Sequence, residues 1–310
     1  MKKKLILLLL CFLCSTSHLW SQQEDGYVAF WLDCYSGETV TFAKMMDDLA
    51  QVDVIYLGER HTLQRHHDLH EKIIQELGNR GLKVTVGLEQ MENFLQGKLD
   101  KYNDGEIDFA TLAKVTNWKK RWSNYDDYRG LIEAAKDSGG RILALNAKKE
   151  LVRQVGRKGL KALAPALKKQ LPSWTKTKDD WHERKVALKV QVHAAMKPAM
   201  MKSVIEAQTL RDETMAAVTA KALRRKGSDE VIVVICGSGH CNHCIGIPER
   251  VKARVKNLKE RIVHFTESGF LKLSAAMKKH ARNITITHEQ MRFLQRPIAD
   301  YIHCHEPKKK

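Results

Sequence analysis

Beyond residue 21 the chain has no apolar run long enough to cross a bilayer, so the mature protein is expected to be soluble or peripheral. It has no spaced disulfide framework. Of its seven cysteines, Cys11 and Cys14 fall near the start, and Cys34, Cys236, Cys241, Cys244 and Cys304 follow as an odd set with three crowded together. Stability must then come from a buried core, and 310 residues that are 43% hydrophobic and 29% charged suffice to build one. There is no internal repeat, zinc finger, aromatic RNA-binding signature or recognition-helix pattern, so nucleic acid is not an expected partner in spite of a net charge of +17.

What is present begins with Lys2, Lys3 and Lys4, an apolar stretch Leu5–Leu13, and the small residues Ser15, Ser17 and Ser21. This reads as a secretory signal peptide over 1–21 and predicts export to the periplasm or cell envelope. A retained anchor helix is the alternative. Lipidation at Cys11 or Cys14 is disfavoured because Leu10 and Leu13 precede them where a small residue is wanted. The positive charge is uneven: residues 148–202 carry fifteen Lys and Arg against four acids. Such a segment suits an anionic membrane or an acidic ligand, or is simply a solvated helical face.

Five short Val-, Ile- and Leu-rich segments read as strands: Asp53–Glu59, Lys83–Glu89, Arg141–Asn146, Glu230–Gly237 and Arg261–Glu267. Their nearly continuous apolar character is that of strands covered on both faces. Helical stripes lie between them, with Leu69, Ile73, Ile74 and Leu77 in His66–Leu77, and Leu131, Ile132 and Ala135 in Asp127–Ala135. The expected fold is α/β, with a mostly parallel sheet flanked by helices. Residues 146–229 lack a strand signal and read as a helical insertion broken at Pro165, Pro172 and Pro198. One domain over 22–267 is expected, followed by a partly disordered extension over 268–310.

In an open parallel sheet, ligands bind beyond the carboxyl ends of the strands. There the chain places Gly58-Glu59-Arg60-His61, Glu89, Asn146 and Gly237-Ser238-Gly239-His240. Glycine at Gly58 and Gly237 is expected to let the chain turn sharply, so that each histidine points back over the sheet edge. Glu59, His61, Glu89 and His240 together suit a divalent transition metal or proton-transfer chemistry. Gln208 and Asp212, four apart at the end of the insertion, share a helix face that could complete the pocket. Salt bridging to Arg211 is the plainer alternative.

These motifs carry a resemblance. Leu57-Gly58-Glu59-Arg60-His61 with His66 or His67, Gly87-Leu88-Glu89-Gln90-Met91 with Gln96, and Trp118, Trp122 and Tyr125 come in that order. Ala144-Leu145-Asn146, Gln208, Asp212 to Ala216, Gly237 to His240 and Gly246-Ile247-Pro248 follow. The set, over roughly residues 50–265, resembles the ChaN family of haem-binding uptake proteins in the Tiki superfamily. The resemblance implies an exported or membrane-associated protein of iron acquisition, a homodimer holding haems between subunits, and a tyrosine as iron ligand. Tyr125 and Tyr128 are the candidates because they lie beside the Trp-x-x-x-Trp stretch. Glu89, Asn146, Gln208 and Asp212 are expected to wall the cofactor pocket, with lysine or arginine receiving the haem carboxylates. The superfamily also holds metal-dependent proteases and histidine-dependent esterases, which share the G-x-x-H turns.

The sequence departs from the family at Cys236, Cys241 and Cys244, with His243 between the last two. C-x-x-C can chelate zinc or a soft metal, form a disulfide, or be a buried thiol pair. It is not a haem attachment motif, since Ile245 follows Cys244. His303, Cys304 and His305 offer further ligands only if the tail reaches that place. Three functions follow, in order: an envelope haem or iron binder; a hydrolase in which His61 or His240, helped by Glu59, activates water directly or through a metal that Cys241 and Cys244 could join; and a binding module docking a membrane or partner through the basic helices.

Overall fold

Valine, isoleucine and leucine fill the central strands, and every residue of the strand Val54–Glu59 is buried. In the computed structural model, which describes residues 29–174, 180–193, 198–267 and 287–305, eight strands form one sheet. They are β1 (Ala29–Asp33), β2 (Thr39–Val40), β3 (Val54–Glu59), β4 (Lys83–Glu92), β5 (Ile142–Asn146), β6 (Glu230–Gly237), β7 (Glu260–Glu267) and β8 (Tyr301–His305). The order is β2-β1-β8-β7-β3-β6-β4-β5. Strands β8, β7, β3, β6, β4 and β5 run parallel to one another, and β1 is antiparallel to both β8 and β2. The expected α/β fold with a mostly parallel sheet is therefore observed.

Helices cover both faces. Gln64–Asn79 and Arg129–Asp137 pack Leu69, Ile73, Ile74, Leu131 and Ile132 on one face, against Ile55, Leu57, Val86 and Val233. Pro198–Leu223 and Ile247–Arg254 cover the other, where Met215, Ala216, Ala220 and Val251 meet Val54, Tyr56, Ile232 and Val234. The insertion before β6 is helical, as expected. Its described residues contain Lys149–Lys158, Pro165–Lys168, Asp180–His193 and Pro198–Leu223, and no strand. Pro165 and Pro198 open helices, where a missing N–H costs no hydrogen bond.

The tail departs from expectation. Instead of extending beyond the domain, β8 lies between β1 and β7 and ties the first described strand into the sheet. Residues 1–28, including the signal peptide read over 1–21, lie outside the described residues, as do 268–286 and 306–310. Among the described residues no helix is long and apolar enough to cross a membrane.

Candidate functional site

The two G-x-x-H turns follow β3 and β6, which pair in register with Glu59 opposite Gly237. The glycines are needed for a reason other than backbone freedom. Neither has a positive φ, and Gly237 sits at φ −56. What they provide is space. A Cβ on Gly237 would lie 2.8 Å from His61 Nε2, and one on Gly58 would lie 2.9 Å from Cys241 Sγ. Each glycine thus lets the other strand's turn close over it.

The acids sit where these turns meet. Glu59 Oε1 accepts from His61 Nδ1 at 2.7 Å, Gln90 Nε2 at 2.9 Å and the Tyr128 hydroxyl at 2.5 Å. Its other oxygen lies 3.5 Å from His67 Nε2 and 3.4 Å from His70 Nδ1, without a hydrogen bond. Glu89 lies in the stretch of β4 where the pairing with β5 is interrupted between Leu88 and Glu92. Its Oε2 accepts the Gly237 N–H at 2.7 Å and lies 3.9 Å from His61 Nε2, while its Oε1 lies 3.2 Å from His240 Nε2 and 3.7 Å from Arg211. Asn146 donates to the Glu89 carbonyl at 2.9 Å and so braces the irregular backbone.

A second carboxylate–imidazole pair lies beneath. Asp212, fully buried, bonds His240 Nδ1 through one oxygen and His182 Nε2 at 2.7 Å through the other. The Gln208 amide is 3.0 Å from His240 Nδ1, so Gln208 and Asp212 reach the site from one helix face as expected. Burial alone would depress His240, but the Glu89 and Asp212 carboxylates outweigh it and raise its pKa to about 9. Burial likewise opposes, and Glu59 and Glu89 reverse, the shift at His61, which also goes up. Against their own burial, His240 and its neighbouring cations hold Glu89 and Asp212 far below the ordinary carboxylate range. His61 is the accessible member, with a third of its side chain exposed and its ring edge-on to Trp122 at 4.9 Å.

Glu59, His61, Glu89, His240, Gln208 and Asp212 therefore converge, and other expected site residues are placed differently. Tyr128 is fully buried, its hydroxyl is committed to Glu59, and burial beside that carboxylate raises its pKa strongly. Tyr125 is half-buried, its ring stacked on Phe109 at 6.1 Å. Cys241 and Cys244 do not join the site. They pack into the apolar layer with Tyr56 and Val251, and the Cys244 thiol donates to Glu260 at 3.2 Å. None of the five described cysteines is in a disulfide. Among the described residues no group of three or more His, Cys, Asp or Glu side chains is arranged for a metal ion. Glu59 shows one reason, since three donors already occupy its inner oxygen. The Asn146 amide is engaged with backbone, donating to the Glu89 carbonyl and accepting the Ala147 N–H. His182 carried no spacing signal, because it arrives from a separate helix, and Gln90 was visible only as part of a motif.

Comparisons with known proteins give the family and the fold. A family model described as haem-binding uptake, Tiki superfamily, ChaN, matches residues 45–251. The structure is similar to that of ChaN of Campylobacter jejuni, described for its cofacial haem binding. They share 20% identity and a TM-score of 0.65, covering 92% of this chain and 99% of that one. It is also similar to a mutant of the erythromycin esterase EreC in its open conformation, at 12% identity and a TM-score of 0.50, covering 90% and 97%. No curated protein matches.

Proposed function

Because the chain belongs to the ChaN family of haem-binding uptake proteins, we propose that it binds haem at the mouth of the G-x-x-H site and serves haem or iron uptake in the cell envelope. The family match over residues 45–251 is the observation that carries this reading. The residues present fit the group. Haem needs an accessible axial donor, a flat apolar wall and cations for its carboxylates. His61 donates Nδ1–H to Glu59 and so presents Nε2, the arrangement that carboxylates impose on iron-ligating imidazoles. Trp122 supplies an aromatic wall against His61, and Arg60, next to His61 in the chain, and Arg211, 3.7 Å from Glu89, supply cations. Tyr125 is the remaining tyrosine candidate. Bound there, haem would supply an iron centre that this chain's side chains do not.

Two finer features belong to the same reading. Export rests on the lysine-led apolar start, and cofacial binding like that of the Campylobacter jejuni protein would need a second copy of this chain. The basic insertion could then rest against an anionic membrane. The test is titration of the purified mature protein with haem, followed in the visible spectrum. Saturable binding is expected, with an altered spectrum in His61→Ala or Tyr125→Phe according to which is the ligand. No saturable change overturns the proposal.

The two carboxylate–imidazole pairs favour a second reading, a histidine-based hydrolase, and the esterase fold likeness is compatible with it. His61 Nε2 would take a proton from water, with Glu59 holding the resulting imidazolium. His240, protonated at neutral pH, would stabilise negative charge on the attacked carbonyl oxygen, with Arg211 beside it. Hydrolysis of p-nitrophenyl acetate above the background rate, lost in His61→Ala, would establish it. Equal rates in both proteins would remove it.

A further inference from the structure

The opposite edge of the sheet carries a feature that neither reading uses. Where β3 and β7 begin, with Val54 beside Glu260, a cavity of about 900 Å³ opens between the chain ends of β1, β7 and β8. That volume lies at the upper end of the range for small-molecule sites. Its described wall holds four acids, Asp33, Asp48, Glu260 and Asp300, and four bases, Lys252, Lys259, Arg261 and Arg296.

The wall divides into a satisfied half and an unsatisfied one. Asp48 receives Arg261 through two bonds of 2.7 Å and the Tyr301 hydroxyl at 2.8 Å, so this trio is closed. Glu260 is different. Its side chain is only 8% exposed; Oε1 accepts from the Cys244 thiol, and Oε2 has no hydrogen-bond partner. Lys252 and Arg296, both about half exposed, stay 3.8 and 3.9 Å away. Burial holds the pKa of Glu260 and of Asp300 above the ordinary carboxylate value, outweighing the nearby Lys252, Arg296 and Arg261 cations. A buried acceptor left unpaired is costly, and native proteins seldom keep one without use.

We propose that this cavity is a second binding site, for a short peptide with a free ammonium and a free carboxylate terminus. The ammonium pairs with the Glu260 carboxylate, which lines the cavity, and the peptide carboxylate faces Arg296 and Lys252. Outside the closed trio the wall keeps three acids, Asp33, Glu260 and Asp300, and three bases, Lys252, Lys259 and Arg296, so a ligand bearing both charges matches it. The cavity is several times larger than a single amino acid, which selects the peptide.

Calorimetric titration of the full chain with the tripeptide Ala-Ala-Ala tests this. Saturable binding is expected, weakened at least about tenfold, or about 1.4 kcal/mol, by acetylation of the amine and similarly by amidation of the carboxylate. Glu260→Gln keeps an acceptor for Cys244 and should abolish the discrimination against the acetylated peptide. Haem titration of that variant should be unchanged, since the haem site lies at the other edge, and it also reports that the variant is folded. Absence of saturable heat with the free tripeptide, or equal affinity for the blocked ones, overturns the proposal. Both readouts use the wild-type chain, so the result stands whether or not the variant folds, and whether or not haem binds.

Discussion

Two groups of buried histidines follow β3 and β6, and their protons behave in opposite ways. His240 is 5% exposed and its pKa rises to about 9, whereas His66 is 1% exposed and its pKa falls to about 3. His67 and His70 also shift downward, mainly through burial. Burial is nearly equal, so it does not decide the direction. His240 sits between two carboxylates. His66 instead accepts the Arg60 N–H through Nδ1 and has His264, His67 and His303 around it. His67 and His70 face the other oxygen of Glu59, which makes no hydrogen bond to them, and His67 has Asp127 4.0 Å away on its far side. A buried imidazole becomes a cation only where an acid is placed to receive its proton's charge. The fold thus builds a charged layer at the strand ends and a neutral layer of imidazoles directly behind it.

Removing the acid that separates the groups should have the largest effect. Asp212→Ala leaves His182 buried without its carboxylate and His240 with Glu89 alone, and is expected to cost about 3–5 kcal/mol in urea unfolding at neutral pH. A cost under about 1 kcal/mol would mean that Asp212 does not hold His240 charged. Next comes the pH dependence of stability. The contribution of His240 is fully present below the unfolded pKa of 6.5 and is lost as pH rises through about 9. His66 has the reverse sign. The unfolded chain takes its proton near 6.5 while the folded chain resists until about 3, so stability falls as pH drops across that window. Stability should therefore peak near pH 6.5, with His240 worth up to about 3 kcal/mol on the alkaline limb and His66 up to about 5 kcal/mol on the acid limb. Denaturation midpoints measured against pH should show the acid limb reduced in His66→Asn and the alkaline limb reduced in Asp212→Asn. A flat profile in the wild type would remove the distinction between the two layers.

Much of this was legible in the residues, and the parts that were not share a cause. The five central strands were readable because burial on both faces makes them continuously apolar, as in Ile232–Ile235. Strands β1 and β8 escaped because their burial alternates, and Tyr301–His305 reads as a polar tail. Glu59, His61, Glu89 and His240 were found because topology sends every parallel strand's end to one edge. The nearest-neighbour chemistry was not. His182 reaches Asp212 from thirty residues away in sequence, and no spacing rule connects them. Tyr128 has the same composition whether it binds iron or donates to Glu59, and only its burial tells. Gly58 and Gly237 were recognised as necessary, but the need is room for a neighbouring side chain, which appears only once β3 and β6 are paired.

Smaller effects sharpen the contrast at single atoms. Tyr128→Phe removes one of three donors from Glu59 Oε1 and should cost about 1–3 kcal/mol by urea unfolding. The haem spectrum should stay as in the wild type, and a changed spectrum would return Tyr128 to the list of ligands. Gln208→Ala should do least. The amide is 3.0 and 3.2 Å from the two ring nitrogens of His240, but it is neutral and half-buried. A neutral partner cannot compete with Glu89 and Asp212, so its loss should cost about 1 kcal/mol or less. The proton resonances of His240, followed by NMR across pH 6–11, should still titrate near 9 in the variant. A fall of more than about one pH unit, or about 1.4 kcal/mol, would show that the amide and not the carboxylate pair keeps this imidazole charged.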